Sequence, residues 1–537
     1  MRSPTRPRLV SSALVSSALV VAAAAGCSRW GPPGVTGTVV DVEGRPVSEA
    51  RVRLQATSAF TLTTAAGAFR LHVPPGSSSG VLAASKDGYF IAGEKLVPGR
   101  TDYRIVLKAI PDDDRDYAWA SPRQVSKAEG APKACETCHP VLFSEWERSA
   151  HAGSAKNPLF LAVFEGKDRS GRPTGAPGFR LDFPRSLGNC AACHVPGMAV
   201  NGPFATDPAR TEGAAAEGVF CDFCHKVRSV TLDASGGRPG VLSFQFARPP
   251  PGKLAAFAQL DDVTIGPDAY QPLFRESAYC APCHHGSFWS VRAYSEFAEW
   301  SASSYARRNV HCQDCHMKLE TGPRRVALEK EGGIVRDPAT LSSHVQYGLN
   351  DEAFMRRAVT LSARADARGD RVRVRVSVRN SGAGHHVPTG SPMRNMILLV
   401  DARDATGAPL ALVAGGRVPD WAGRGSPERG DYAGLPGKGF AKILADLVEY
   451  PADPRLGRRF SRADPAPYWR PTVVASDTRI PAEATDESEY VFAAPTAAPV
   501  TLRTRLVYRR TFRSWGTLDR IKGGELELAS SATVVSR

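Results

Sequence analysis

No cysteine in this 537-residue chain is free to pair outside one repeated pattern, apart from a single residue near the N-terminus. Ten of the eleven cysteines occur as five copies of C-x-x-C-H: Cys135, Cys138 and His139; Cys190, Cys193 and His194; Cys221, Cys224 and His225; Cys280, Cys283 and His284; Cys312, Cys315 and His316. A disulfide framework has no use for a histidine after every second cysteine. A structural zinc site is closed by four ligands, usually two such pairs some distance apart. Beyond its N-terminal segment the sequence also lacks an apolar run long enough to cross a bilayer. Its hydrophobic content of 42% is ordinary for a globular protein, and its length suggests about three domains.

Covalent haem accounts for what remains. Two thiols at this spacing form thioethers with the two vinyl groups of one haem, and the adjacent imidazole meets the iron from the side of attachment. All fifteen residues of the five motifs are used in this way. Five covalently attached haem c groups are therefore expected, with His139, His194, His225, His284 and His316 as the proximal ligands. The chain has no acidic excess to balance its net charge of +14, which falls to +11 without Arg2, Arg6 and Arg8. Such a surplus invites nucleic acid, but five haems bring up to ten propionate charges for the lysines and arginines to pair with. No nucleic-acid partner is expected.

Residues 1–27, MRSPTRPRLVSSALVSSALVVAAAAGC, combine three arginines, an apolar stretch and small residues before Cys27, which marks an export signal and not a membrane span. Ala24-Ala25-Gly26-Cys27 resembles the lipobox of bacterial lipoproteins, departing from it at Ala24, where leucine is usual. Cys27 is accordingly expected to carry lipid, anchoring an exported protein at the outer membrane, facing the periplasm or the cell surface, the alternative being cleavage after Ala25 by an ordinary signal peptidase. Export agrees with c-type haem, which is attached outside the cytoplasmic membrane.

The expected fold class is multidomain: a mainly α-helical and irregular multihaem cytochrome core flanked by two β-sandwiches. Residues 34–108 alternate short strands with Gly and Pro turns, as a small β-sandwich does. Their spacing resembles the carboxypeptidase-regulatory-like and collagen-adhesin B-type modules. His72 lies on the face opposite Phe69, Leu71 and Val73 and is expected at the surface. Residues 109–130 are expected to be a linker. Residues 131–355 hold every motif, and five macrocycles in about 180 residues must themselves form the core, close enough for electrons to hop between them. From residue 356 to 537 a second β-sandwich is expected, anchored by RVRVRVSVRN (371–380), where Val372, Val374, Val376 and Val378 share one face. The segment 415–475 is expected to be a long excursion from it.

Twelve histidines leave seven after the proximal five. With His72 set aside, His151, His285, His311, His344, His385 and His386 compete for five distal positions. His285 follows His284 directly, and neighbouring Cα atoms are only about 3.8 Å apart, so it cannot complete the same haem. His311 is tied to Cys312 by the same constraint. His151 follows His139 by twelve residues across an expected helix opening at Pro140, about 18 Å along the axis, and it too belongs to another haem. Met317 is next to His316 and is expected to be packing.

CHPVLFSEWERSAH, GVFCDFCHKV, YSEFAEWSASSYARRNVHCQDCHM, SSHVQYG and NSGAGHHVPTG together resemble the multihaem cytochromes related to cytochrome c-554 and hydroxylamine oxidoreductase. The likeness implies His151 and His385 as distal ligands, His344 as a third, and His386 as a spare. The count of five motifs and the two flanking β domains depart from that pattern. The function expected is electron relay among redox partner proteins in respiration, through bis-His, low-spin haems with no catalytic residue. An alternative is a reductase or oxidase of a small nitrogen compound at one five-coordinate haem; a second is a subunit of an extracellular cytochrome filament.

Overall fold

The computed structural model describes residues 34–73, 80–124, 133–250, 255–289, 291–319, 322–447, 465–494, 498–516 and 524–536. The export signal and Cys27 lie outside the described residues. Strands dominate both ends of the chain, and short helices dominate the middle.

Near the N-terminus, Ala68–His72, Gly34–Asp41 and Asp102–Leu107 form one sheet, and Phe60–Leu62, Arg51–Leu54, Val81–Ser85 and Ala92–Lys95 form another. The two enclose one core, in which Val39, Phe69, Leu71 and Ile105 of the first meet Val52, Leu54 and Leu82 of the second. Period-two alternation places these side chains inward and leaves His72 exposed. Gly37 is required by close approach: a Cβ there would lie 2.1 Å from the Tyr103 carbonyl oxygen and 2.8 Å from the Phe69 ring. The unit is fastened to the motif-bearing segment by acids of that segment, with Arg53 on Asp261 at 3.0 Å and the Ala56 N–H donating to Asp262 at 2.7 Å.

Residues 109–124 are less of a linker than their composition suggests. Arg248 grips Asp113 through Nε and Nη2 at 2.8 and 2.6 Å. Asp222 accepts from the Tyr117 hydroxyl and the Ala120 N–H at 2.9 and 2.8 Å. Trp119 stands edge-on to Phe220 and donates to the Gly197 carbonyl. Aromatic burial makes this stretch a strap across the central segment.

Among the described residues, no helix of the central segment exceeds eight residues, the length of Pro140–Glu147 and Pro158–Glu165. The first stops before it can carry His151 along one axis. The chain turns at Arg148 and continues as SAHAGS, whose serines and glycine favour turns over helix. Four small two-stranded ladders also occur here, where the sequence suggested helices and loops only. No described helix is long and apolar enough to cross a membrane.

At the C-terminal end, Val359–Arg368, Arg371–Asn380, Thr485–Ala493 and Leu412–Ala414 make one sheet. Thr472–Asp477, Gly437–Asp446, Asn395–Arg403, Val500–Arg509 and Glu525–Val535 make the other. Val372, Val374, Val376 and Val378 are fully buried between them, each contributing roughly 1.5–3 kcal/mol, while Arg373 and Arg375 turn outward onto Glu489. The 415–475 excursion is not wholly irregular: Gly437–Asp446 pairs with Asn395–Arg403, and its glycines had masked the strand pattern. Asn395–Arg403 is buried on both faces, because its outer side packs through Ile397 against a cluster holding Leu159, Phe164 and Phe179 of the central segment. That accounts for the uninterrupted run MILLV.

Candidate haem-binding site

Each C-x-x-C-H motif is a single helical turn or part of one, such as Cys135–Cys138, Cys221–Cys224 and Cys312–His316. Residues three apart on a helix share a face, so both sulfurs of a motif point the same way. The following histidine is held back on the turn: His139, His194, His225 and His284 donate their N–H to the carbonyl of the first cysteine of their motif at 2.8–3.1 Å. The ten thiols are free and stand where thioether sulfurs would be. Thiols of different motifs also meet, Cys135 against Cys221, Cys193 against Cys283 and Cys280 against Cys312.

Among the described residues, no three His, Cys, Asp or Glu converge as they would around a bare metal ion. Histidines instead come together in pairs. His225 faces His344 with ring centroids 6.4 Å apart and 17° from parallel. His316 faces His385 at 6.3 Å and 19°. His284 faces His151 at 6.4 Å, with the rings tilted by 56°. Two metal–nitrogen bonds of about 2 Å each, added to two half-rings, fill such a gap, so each pair is spaced to clasp one iron. Burial pushes His151, His316 and His344 down to about 4, toward the neutral imidazole that binds metal; His284 alone of these pairs is shifted the other way.

Outer contacts orient these rings. His139, His225 and His316 direct Nδ1 at the main-chain carbonyls of Val326, Phe257 and Tyr347, at 2.6–2.7 Å. Such a contact leaves Nε2 as the nitrogen that would meet a haem iron. On the opposite side, His151 Nδ1 meets Gln346 at 2.9 Å, and His385 Nδ1 meets the His386 carbonyl at 2.9 Å. The His344 N–H donates to Glu145 at 2.8 Å, a carboxylate that also pairs with Arg324 in the interior. Asn380, fully buried, donates to the carbonyls of His385 and Ile480 at 2.7 and 3.1 Å and so fixes the GHHVP loop. Gly218 opens GVFCDFCHKV in the left-handed region, where a Cβ would be 2.6 Å from the His151 carbonyl oxygen. That close approach seats the third motif against the segment carrying His151.

The remaining histidines behave differently. His311 Nδ1 accepts from the Ser277 N–H at 3.1 Å and takes part in a capping box with Asp314 at the start of Cys312–His316. An acceptor Nδ1 leaves the proton on Nε2, so His311 here is built as a cap. His285 presents Nε2 to the Ala234 carbonyl at 3.3 Å, and its buried Nδ1 has no partner. His386 points away from its neighbour toward Glu299, 3.8 Å distant. His194 is half-buried, its Nδ1 shielded from solvent and its ring stacked 3.7 Å from that of Phe160.

Several supporting residues escaped sequence reasoning. Glu145 lies inside SEWERSAH and Gln346 inside SSHVQYG, but nothing in a linear string distinguishes a carboxylate or amide that buttresses a ligand from one in water. Glu296 is another: it sits 3.6 Å from Nδ1 of His284. Although burial opposes charge on that imidazole, the carboxylate carries it up to about 9.

Cys-x-x-Cys-His turns, paired imidazoles and a core of short helices define a multihaem c-type cytochrome. Residues 134–226 match the family model described as cytochrome c554 and c-prime. The fold resembles a penta-heme cytochrome c552 from Thermochromatium tepidum, at 20% identity and a TM-score of 0.50, over 75% of this chain and 97% of that one. A PapD-like domain of human CEP192 aligns over 34% of the chain and 84% of its own, and the Fcho1 Mu homology domain of Danio rerio over 34% and 44%, at 5% and 10% identity; TM-scores of 0.13 give these no weight. None of the curated proteins matches the chain.

Proposed function

We propose that this protein is an exported cytochrome holding five haem c groups, which relays electrons in respiration between redox partner proteins. When bound, haem supplies one-electron exchange at iron. The chain's share is to attach each group through a C-x-x-C turn, to present imidazole on both sides and to hold neighbouring groups close. The observation that carries this reading is the set of three imidazole pairs at 6.3–6.4 Å, each joining a proximal histidine to a residue from another part of the chain. Two imidazoles saturate an iron and leave no place for substrate. Contact between the thiols of the first and third, second and fourth, and fourth and fifth motifs supports haem edges that lie side by side, as a relay requires. Lipidation of Cys27 would tether the relay to the outer membrane.

A second reading is favoured by His139 and His194. Among the described residues no histidine ring is paired with either at this spacing, and His311 is engaged as a cap. One of these two positions could admit a small nitrogen compound, making the protein a reductase or oxidase. Low-temperature electron paramagnetic resonance of the oxidised holoprotein, quantified against total haem, separates the two. Low-spin signals across five haems support the relay; a high-spin signal equal to one haem overturns it in favour of the enzyme.

A further inference from the structure

The four proximal histidines whose Nδ1 has a neighbour do not have the same kind of neighbour. His139, His225 and His316 meet neutral main-chain carbonyls. His284 meets a carboxylate, Glu296, at 3.6 Å. Glu296 opens the helix Glu296–Ser301, and its outer oxygen is buried without a hydrogen-bond partner. Its surroundings are tight: a Cβ on Gly390 would lie 3.0 Å from Glu296 Oε1 and 2.1 Å from Arg394 Nη1. Gly390 thus leaves space that a larger residue would take from Arg394 and Glu296, the Arg394 charge also bears on the carboxylate, and the second carboxylate oxygen has no hydrogen-bond partner among the described residues.

An anionic acceptor beside a ligating imidazole makes that imidazole a stronger donor than a carbonyl does. Stronger donation favours ferric over ferrous iron, and burial enlarges the effect because charge is poorly screened there. Resting on the reading of His284 as a proximal ligand, we propose that Glu296 is a positioning residue that sets the potential of the fourth-motif haem, making it lower than those of the first, third and fifth motifs. Because thiols of the fourth motif meet those of both the second and the fifth, the low-potential site sits at a junction. Electrons then rest on its neighbours and cross it only in transit.

The test is a spectroelectrochemical titration of the holoprotein with Glu296→Gln, which keeps shape and removes charge. One haem is expected to become about tenfold easier to reduce at fixed potential, which is 59 mV for a one-electron couple, with haem content and the number of low-spin signals unchanged. Glu296→Asp, which keeps the charge, should restore most of the difference. His151→Ala, which strips the ring facing His284, labels the haem concerned by its changed spectrum. Full haem content with every midpoint unmoved in Glu296→Gln would overturn the proposal. Retention of all low-spin signals in His284→Ala would instead overturn the ligand assignment beneath it. If Glu296→Gln fails to assemble, the wild-type resonance spectrum decides: one low-spin signal with a narrower g spread than the rest is expected, and a uniform set counts against the carboxylate.

Discussion

His385 lies ring to ring with His316 at 6.3 Å and 19° from parallel, although one follows the fifth motif directly after its cysteines and the other stands in a loop of the C-terminal β domain. The carbonyl of Tyr347 fixes one ring from behind, and the carbonyl of His386 fixes the other. His316 is recognisable as a ligand from its own motif, and His385 is not.

Removing the outer member of each pair should open one iron. His151→Ala, His344→Ala and His385→Ala are each expected to convert one low-spin haem to high-spin while leaving total haem unchanged. Resonance spectra quantified against pyridine haemochrome check this, and three unaltered spectra would contradict the pairing.

Each motif should hold one group. Cys221→Ala combined with Cys224→Ala is expected to lower the intact mass by one haem relative to the wild-type holoprotein. The loss should also destabilise the strap, since Phe220 and Phe223 of the same turn pack on Trp119. Mass spectrometry and thermal unfolding report the two effects separately.

Asp182 ties the central segment to the C-terminal sheets. It accepts from Arg470 at 2.7 and 2.9 Å and from Trp469 Nε1 at 2.8 Å, with both charged side chains almost wholly buried. Asp182→Asn removes the nearer of the carboxylates facing Arg470, whose other is Asp446 at 3.3 Å, and is expected to cost about 3 kcal/mol, the low end of what a broken buried pair costs, measured by urea denaturation.

Lys442 gives a pH signature. Burial lowers its pKa from 10.5 to about 8, and its nitrogen donates to the Arg292 carbonyl and Ser295 Oγ, at 3.0 and 3.2 Å. Between these values the unfolded chain holds the proton and the native one does not, so stability rises with pH. The cost is fully present below pH 8 and disappears toward 10.5. Relative to Lys442→Met, the wild type is expected to gain about 3 kcal/mol across that window, followed by denaturant titration at several pH values.

The covalent half of the site was legible in the sequence because attachment is a local act: two thiols and an imidazole must be adjacent along the chain. The alternating valines of 371–380 were legible for a similar reason, since a strand records its buried face every second residue. The opposing histidines were not, because an imidazole arriving from a distant loop needs only a backbone that delivers it. His151, His344 and His385 were singled out through family likeness, and the structure brings each against a proximal ring that spacing could not have named. His311 shows the reverse: beside a motif it looked like a ligand, while its Nδ1 is committed to Ser277. Glycine-rich surroundings concealed the strand Gly437–Asp446, and aromatic anchoring of 109–124 was invisible without Phe220 and Gly197 alongside.

If His344 and His385 are ligands as proposed, their position downstream of all five motifs implies an order of assembly. On the proposed export, a chain emerging N-terminus first would present every attachment turn before either of these rings. Haem can thus be ligated to an open, pliant strand, and the last third of the polypeptide then closes over it. The C-terminal β domain would in that sense be a latch: until its loop at Asn380 sets, the ring of His385 is not in place opposite His316.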